Sequence, residues 1–343
     1  MKKPFFCTLK LTIILIIANF SFATYILADD EFVNIVSARQ EYLIKPIFEE
    51  FTKDTGIKVN YEISFDYTNN DTLSSIRQAG EDNPIDAYLV SDASDLYKLQ
   101  QNALLQPIRS KILQRNIPSH LKDPSKQWFG LSMRVRSIVY HTSRVDPSKL
   151  IDYTSIGDER WFNKLSLRTS QKIYNKSMVA IMIAHYGYDK TKEIVASWVK
   201  NFSLKPMSND IEVINAIVDA KADIGIVNSY YLAKMIKENP SLPVKMHFIG
   251  DEKGRVHINI SGMGVARYAK RKDNAIKLIE WLSSKKGQRL FSNIDMEYPV
   301  NKRVKPHRIL QSWGKFKQMK INVKKAGELR ELAIKLMKEV EYE

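Results

Sequence analysis

Cysteine is nearly absent from this sequence, since its 343 residues contain one. A single cysteine excludes a disulfide framework and any zinc or iron–sulfur site that needs several thiolates. The residue is Cys7, which precedes the first apolar run of the chain. If that segment is removed on export, as we predict below, the remaining chain has no cysteine. Any metal that it holds must then be bound through oxygen and nitrogen.

Recognisable catalytic motifs are also missing. The sequence contains no G-x-S-x-G, no G-x-x-x-x-G-K-[ST] and no H-E-x-x-H. The six histidines are scattered, and no two of them are four residues apart. His257 lies in a long β-type run and is interpreted as a packing residue. The sequence therefore predicts a binding protein and not an enzyme.

No apolar run approaches the about 20 residues that a membrane-spanning helix requires. The first candidate, residues 11–22, is short, interrupted by polar residues and preceded by three lysines. Small residues follow it, ahead of the acidic residues 29–31. This layout predicts a secretory signal over residues 1–28, with cleavage after Ala28 favoured over cleavage after Ala23.

Positive charge exceeds negative charge, with Lys+Arg 53 against Asp+Glu 38 and a formal net charge of +15. Three of these charges belong to the predicted signal, which leaves +12 on the exported chain. Such a charge favours an anionic partner in general. The basic residues are spread along the chain, however, and their densest groups lie beside apolar residues at helical spacing. Together with export, this distribution argues against nucleic acid as a partner.

Strands and helices alternate after the predicted signal. A strand over residues 32–37, an amphipathic helix over 43–52 and a strand over 57–63 predict a parallel β-α-β unit with a right-handed crossover. Two β-type runs, residues 128–141 and 257–266, are long enough to pass from one lobe into another. The sequence therefore predicts an α/β fold of two lobes, joined by two crossing strands, with a ligand cleft between them.

The crossing strands define the predicted domains. The N-terminal lobe is predicted to contain residues 29–133 and 258–305, and the C-terminal lobe residues 134–257 and 306–343. Apolar residues at helical spacing also predict one amphipathic helix over residues 324–339.

Tyrosines stand at two predicted strand ends in the second half of the chain. Tyr230 and Tyr231 directly follow a strand over residues 222–227 and open a helix, and Tyr174 opens a helix after a strand over 165–168. Ligands of α/β folds bind at the carboxyl ends of strands, so these loops offer three phenols to one point. Phenolates suit a hard cation such as Fe³⁺. The alternative is that the rings pack and the hydroxyls face solvent, as expected for most of the 16 tyrosines.

Five stretches, from residue 32 to the C-terminus, carry a resemblance to a known family. They are residues 37–42, 51–59, 128–136, 227–231 and 256–262. In these stretches the chain resembles the periplasmic ferric-iron-binding proteins of bacterial ABC importers, a transferrin-like class of solute-binding proteins.

The resemblance implies the two-lobed type II periplasmic-binding-protein fold, with Fe³⁺ carried in the cleft. It implies phenolate ligands at Tyr174, Tyr230 and Tyr231. It further implies a monomer in the periplasm that delivers iron to an inner-membrane permease and its ATPase.

One stretch departs from the pattern of that family. Many members have His-Tyr directly after the Ser-x-Arg that matches residues 37–39, and that tyrosine is a ligand. This sequence has Gln40 and Glu41 there, and Tyr42 follows one position later. Equal spacing to the next helix favours Glu41 as the substitute ligand, whereas a loop shifted by one residue favours Tyr42. A site that uses neither residue is the third alternative.

Basic residues in the matching stretches bear on the charge of the site. Three tyrosinates and Glu41 would place four negative charges around Fe³⁺. Arg39 and Arg134, with Gln40 beside them, are predicted to balance that charge or to hold a carbonate-like co-anion. Salt bridges within a lobe are the alternative role for both arginines. A cleft that binds a small anion or an organic acid, with the tyrosines as hydrogen-bond donors, is the alternative function.

Overall fold

The structure is a computed structural model that describes residues 31–65 and 68–343. The predicted signal peptide and both of its candidate cleavage positions lie outside the described residues. None of the described helices combines the length and the apolar character needed to cross a membrane.

Eleven strands occur in the described part of the chain. Nine of them form one sheet, with β2-β1-β3-β9-β4-β6-β5 as its continuous order and with β7 and β10 paired to β4, and β8 and β11 form a separate pair. The strands are β1 (Phe32–Ser37), β2 (Lys58–Ile63), β3 (Ala87–Val90), β4 (Phe129–His141), β5 (Leu165–Ser166), β6 (Ile224–Asn228), β7 (Val244–His247), β8 (Arg255–Val256), β9 (Ile258–Val265), β10 (Tyr298–Pro299) and β11 (Lys317–Gln318).

Thirteen α-helices are present in the same described ranges. They are α1 (Glu41–Thr55), α2 (Asn70–Ala79), α3 (Ala93–Gln101), α4 (Lys111–Asn116), α5 (Ile173–Tyr186), α6 (Tyr188–Lys200), α7 (Asp210–Val218), α8 (Ser229–Glu238), α9 (Lys272–Leu282), α10 (Lys285–Ile294), α11 (Arg308–Ser312), α12 (Lys325–Glu328) and α13 (Arg330–Glu339).

The predicted β-α-β opening is confirmed. Strands β1 and β2 pair in parallel, with Phe32 opposite Lys58. The intervening helix α1 buries an apolar stripe that includes Ile44 and Phe51. It ends at Gly56, whose φ of 76° is a left-handed conformation that glycine adopts without a steric penalty.

The two long β-type runs are the strands β4 and β9, which pair with each other in antiparallel orientation. Residues 129–135 of β4 pair with β9, and the following residues 136–141 pair with β6 and β7. Strand β9 also pairs with β3. Strand β4 thus connects the β1–β3 part of the sheet to the β5–β7 part, and β9 runs beside the first half of β4. The predicted α/β fold with two crossing strands is confirmed.

The buried apolar side chains group in the same way along the sheet. One cluster surrounds β1, β3 and β9 and contains Phe51 and Trp128. Two others lie around α5, α6, α7 and α8 and contain Trp198 and Leu232. The exact lobe boundaries stay a prediction.

The single helix predicted over residues 324–339 is wrong, because α12 and α13 are separate helices with Leu329 between them. Within α12, Gly327 lies directly against the side chain of Tyr97, where a Cβ atom would be 2.4 Å from the Tyr97 Cβ. Close packing of α12 on α3 therefore takes precedence over the apolar periodicity from which one helix was predicted.

Candidate functional site

The three predicted tyrosines converge at one edge of the sheet. Strands β5 and β6 are parallel neighbours, so the segments that follow them lie at the same edge. Tyr230 and Tyr231 stand in the first turn of α8, directly after β6, and Tyr174 stands in the first turn of α5. The hydroxyl oxygens of Tyr230 and Tyr174 are 3.4 Å apart, and the ring centroids of Tyr230 and Tyr231 are 4.3 Å apart. We call these three residues the tyrosine side of the site.

A buried arginine fixes the two segments that carry the tyrosines. The Arg136 guanidinium forms a salt bridge with Asp210, at 2.9 Å, and donates a 2.9 Å hydrogen bond from Nε to Asn175 Oδ1. Asn175 is adjacent to Tyr174 in α5, and Asp210 also accepts a hydrogen bond from the backbone N–H of Asn228, at the end of β6. The Arg136 side chain therefore connects α5 to α7, and Asp210 connects α7 to the β6–α8 junction.

Close packing beneath the tyrosines requires glycine in β6. A Cβ atom at Gly225 would lie 2.6 Å from Val213 Cγ1 and 2.7 Å from the Ser166 carbonyl oxygen. Any larger residue would push β6 away from α7 and β5, and with it the start of α8.

Burial keeps the phenols of Tyr230 and Tyr231 protonated. It raises the pKa of Tyr230 well above the usual value, and the neighbouring Tyr174 and Tyr231 raise that pKa further, whereas Arg134 opposes them. Burial and Tyr174 also raise the pKa of Tyr231. The Arg134 guanidinium carbon lies 4.7 Å from the centre of the Tyr174 ring. The phenols of Tyr230 and Tyr231 are therefore neutral at physiological pH unless a cation binds to them.

The tyrosines face a cavity of about 370 Å³. The cavity is also lined by Arg39, Asp295 and Glu297, which we call the charged side. Arg39 forms salt bridges with both carboxylates, and its Nη1 is 3.2 Å from Glu297 Oε2. Burial raises the pKa of Asp295 to about 7. Burial opposes ionisation of Glu297 as well, but Arg39 and Arg134 hold its pKa below the usual range.

Seven of the eight predicted site residues line this cavity. They are Arg39, Gln40, Tyr42, Arg134, Tyr174, Tyr230 and Tyr231. Arg134 is buried and forms a 3.2 Å salt bridge with Asp92, while its Nε and Nη1 have no hydrogen-bond partner among the described residues. The predicted alternative of salt bridges within a lobe thus applies to Arg39, whereas Arg134 pairs with Asp92 across the predicted lobe boundary and keeps further donors free beside the cavity.

The eighth residue, Glu41, lies outside the cavity lining. Its carboxylate accepts a 2.9 Å hydrogen bond from the Tyr61 hydroxyl and lines a neighbouring surface groove. Helix α1 begins at Glu41, so the side chains of Glu41 and Tyr42 point in directions about 100° apart. Tyr42 is 62% exposed and is the one of the two that reaches the cavity.

Sequence reasoning missed three residues of the site, which are Lys234, Asp295 and Glu297. Lys234 had a detectable signal, because it follows Tyr230 by one helical turn and therefore shares its face of α8. The two carboxylates had none, since their side-chain hydrogen-bond partners Arg39 and Ser132 are distant in sequence and they belong to no motif.

A second cluster of residues whose side chains can bind metal ions lies elsewhere in the described residues. His185, Asp251 and Glu252 place one ligand atom each within 4.8 Å of one another. However, Arg255 binds the Asp251 oxygen that also faces His185 Nε2. We interpret this group as an ion-pair network around the turn that precedes β8.

Comparison with known proteins agrees with the fold and with the resemblance in the sequence. Residues 87–320 match the family described as bacterial extracellular solute-binding protein. The iron uptake protein A1 of Synechocystis sp. is 31% identical over 313 residues, which are 90% of this chain and 86% of that protein.

Two solved structures extend the comparison to the whole fold. A Trichodesmium protein in complex with iron and citrate has a TM-score of 0.84 and 36% identity, with 91% of this chain and 100% of that chain covered. The apo ferric ion-binding protein A of Pasteurella haemolytica has a TM-score of 0.83 and 37% identity, with 91% and 98% covered. The matched family, the identity of these relatives and the shared fold lead to one conclusion: this chain belongs to the bacterial extracellular solute-binding protein family.

Proposed function

We propose that this protein binds ferric iron in the cavity between its tyrosine side and its charged side, and delivers it to an ABC importer. The observation that carries the proposal is the convergence of Tyr174, Tyr230 and Tyr231, with two hydroxyl oxygens 3.4 Å apart. The names of the iron-binding relatives support the same cargo.

The chemistry of the tyrosine side suits a hard trivalent cation. Phenolate oxygens are anionic and hard, and Fe³⁺ prefers such ligands over sulfur. Because burial raises the pKa values of Tyr230 and Tyr231, each phenol must lose its proton as the metal binds. Binding therefore releases protons and becomes stronger as the pH rises.

Tyr42 is the ligand that we assign to the N-terminal part of the chain. Tyr42 lines the same cavity as the other tyrosines, whereas the Glu41 carboxylate accepts a hydrogen bond from Tyr61 in the neighbouring groove. This assignment replaces the preference for Glu41 that equal loop spacing suggested. Four tyrosinates around Fe³⁺ then carry one net negative charge.

Arg134 and Arg39 complete the charge balance of the proposed site. Arg134 is 1% exposed and has two nitrogen atoms without partners among the described residues, so it offers donors for a carbonate-like co-anion. Arg39 is held by Asp295 and Glu297 and has less capacity to bind an anion. Gln40, which lines the same cavity, is a neutral neighbour of the metal or the anion.

Movement of the two lobes connects iron binding to iron delivery. We assign residues 29–133 and 258–305 to one lobe and residues 134–257 and 306–343 to the other, with β4 and β9 as the hinge. Iron binds the tyrosine side of the open form, and contacts across the cavity then favour the closed form. A permease that recognises the closed form distinguishes loaded from empty protein. The chain acts as a monomer in the periplasm after its signal peptide, residues 1–28, is removed.

One titration tests the cargo. Chelated Fe³⁺ added to the purified mature protein should produce a visible tyrosinate-to-iron absorption band. The Tyr230→Phe/Tyr231→Phe variant should lose it. Tyr268→Phe, at an exposed tyrosine outside the cavity, is the matched control and should keep it. If wild-type protein develops no band and calorimetry shows binding of phosphate or a carboxylate without iron, the anion-binding alternative replaces this proposal.

A further inference from the structure

Lys234 occupies a position between two tyrosines of the cavity that come from different helices. It lies on α8, and its Nζ is 5.4 Å from the centre of the Tyr42 ring, which belongs to α1. The same nitrogen is 5.8 Å from the centre of the Tyr230 ring, one turn earlier on α8. Both distances are within the about 6 Å over which a cation is attracted to an aromatic face.

The charges around Lys234 leave it available for this contact. Asp295 and Glu297 attract its ammonium group across the cavity, Glu238 attracts it from α8, and Arg39 repels it. Within residues 31–65 and 68–343, which the structure describes, Lys234 forms no salt bridge with any of these carboxylates. The two rings are therefore its direct partners, and the carboxylates attract it from a distance.

We propose that Lys234 is a positioning residue of the iron site, which holds the exposed Tyr42 ring in the cavity by placing its ammonium group between the rings of Tyr42 and Tyr230. The inference rests on the proposed function, because it gives Tyr42 the role of a ligand. Tyr42 has no hydrogen bond from its hydroxyl among the described residues, and its ring is 62% exposed.

Iron affinity measured by competition with citrate tests the role of the cation. Lys234→Gln should weaken iron binding by about 3- to 30-fold, the range expected from one or two cation–ring contacts. Lys234→Arg keeps a cation at the position and should restore most of the affinity. Lys237→Gln removes an exposed lysine of the same helix and should change the affinity by less than about twofold.

A double substitution separates positioning from a general charge effect. In the Tyr42→Phe background there is no phenol oxygen to place, so Lys234→Gln should cost less iron affinity than it does in the wild type. An equal loss in both backgrounds would show that Lys234 acts on the metal or on an anion through its charge alone, and would overturn the inference.

A measurement without iron keeps this test independent of the proposed function. In protein labelled with 3-fluorotyrosine, the Tyr42 resonance is assigned by its absence in Tyr42→Phe. Lys234→Gln should shift that ¹⁹F resonance, and Lys237→Gln should leave it in place. An unmoved resonance refutes the positioning role even if iron binds. Conversely, a shifted resonance in a protein that binds no iron refutes the proposed function and leaves the contact itself established.

Discussion

The tyrosine side and the charged side of the cavity differ in the kind of polar group that they contain. The tyrosine side contains three phenols, and its order comes from Arg136 and Asp210, which connect α5, α7 and β6. The charged side contains Arg39, Asp295 and Glu297 in a buried network in which the guanidinium pairs with both carboxylates. One side thus presents groups that become charged when a cation arrives, whereas the other has its charges already paired.

Because of this difference, we expect one side of the cavity to affect iron binding and the other to affect the stability of the fold. Neutral phenols can be buried at modest cost and gain their main interactions only with the cargo. A buried ion pair contributes little net stability, but loss of one partner leaves an uncompensated charge. Substitutions on the charged side should therefore act mainly on folding, and substitutions on the tyrosine side mainly on iron.

Removal of the Arg39 guanidinium should have the largest effect on folding. Arg39→Met leaves Asp295 and Glu297 buried without their cation, so the free energy of unfolding should fall by about 3–5 kcal/mol in a urea titration. Lys53→Met is the control, because Lys53 pairs with Glu50 at the surface over 3.9 Å with 76% of its side chain exposed. Its effect should stay within about 0.5 kcal/mol. Equal effects of the two variants would contradict the assigned role of the charged side.

Loss of one phenol on the tyrosine side should have the converse result. Tyr230→Phe removes a central ligand, and iron affinity should fall by more than about 100-fold, beyond the range typical for residues that only support a ligand. The urea midpoint should change little, because the hydrogen bond that the hydroxyl makes to Tyr174 in the described part of the chain is long, at 3.4 Å. A large drop in stability with iron affinity retained would reverse our distinction between the two sides.

The choice between Tyr42 and Glu41 sharpens the comparison on the N-terminal part of the cavity. Tyr42→Phe should weaken iron binding by about tenfold, less than Tyr230→Phe, because Tyr42 is exposed and must be ordered on binding. Glu41→Gln should change the affinity by less than about twofold, since that carboxylate bonds to Tyr61 outside the cavity. Competition with citrate measures both, and the opposite ranking would restore Glu41 as the ligand.

His257 tests the electrostatics around the buried arginines Arg134 and Arg136. It is 1% exposed, and burial together with Arg136 and Arg134 lowers its pKa to about 3. Between this value and the usual 6.5, the unfolded chain binds a proton that the native protein does not bind, so stability falls as the pH falls. The slope should reach about 1 kcal/mol per pH unit. Urea titrations from pH 7 to pH 4 should show a smaller slope for His257→Gln, and an unchanged slope would contradict the neutral imidazole.

The fold was predictable from local pattern to a considerable degree. The apolar stripe of α1, the β-branched strands around it and the lengths of β4 and β9 follow directly from side-chain periodicity. The prediction failed over residues 324–339, where Gly327 packs on Tyr97 and the helix is interrupted. Such a contact joins segments distant in sequence, so periodicity within a single segment contains no information about it.

The site also has residues that could be predicted from local sequence pattern and residues that could not. Its three tyrosines could be predicted, because strand ends and helix starts are local features and because parallel neighbours bring their ends together. Its carboxylates could not, since Asp295 and Glu297 reach Arg39 only through the packing of α10 and β10 onto the crossing strand β4. Glu41 is a third case. The number of residues in the loop favoured Glu41 as a ligand, but its position at the start of α1 directs its carboxylate to Tyr61, outside the cavity.

The sequence by itself determined which chemistry this protein has available. It has nearly no cysteine, no recognisable catalytic motif and tyrosines at two strand ends, and these properties restrict metal binding to oxygen and nitrogen ligands. Tertiary structure decided which of those groups meet. It brought Tyr174 to Tyr230, turned Glu41 toward Tyr61, and placed Lys234 between two rings. The reason is physical: residue type sets charge and hardness, whereas distance and burial, which govern pKa and contact, depend on parts of the chain far apart in sequence.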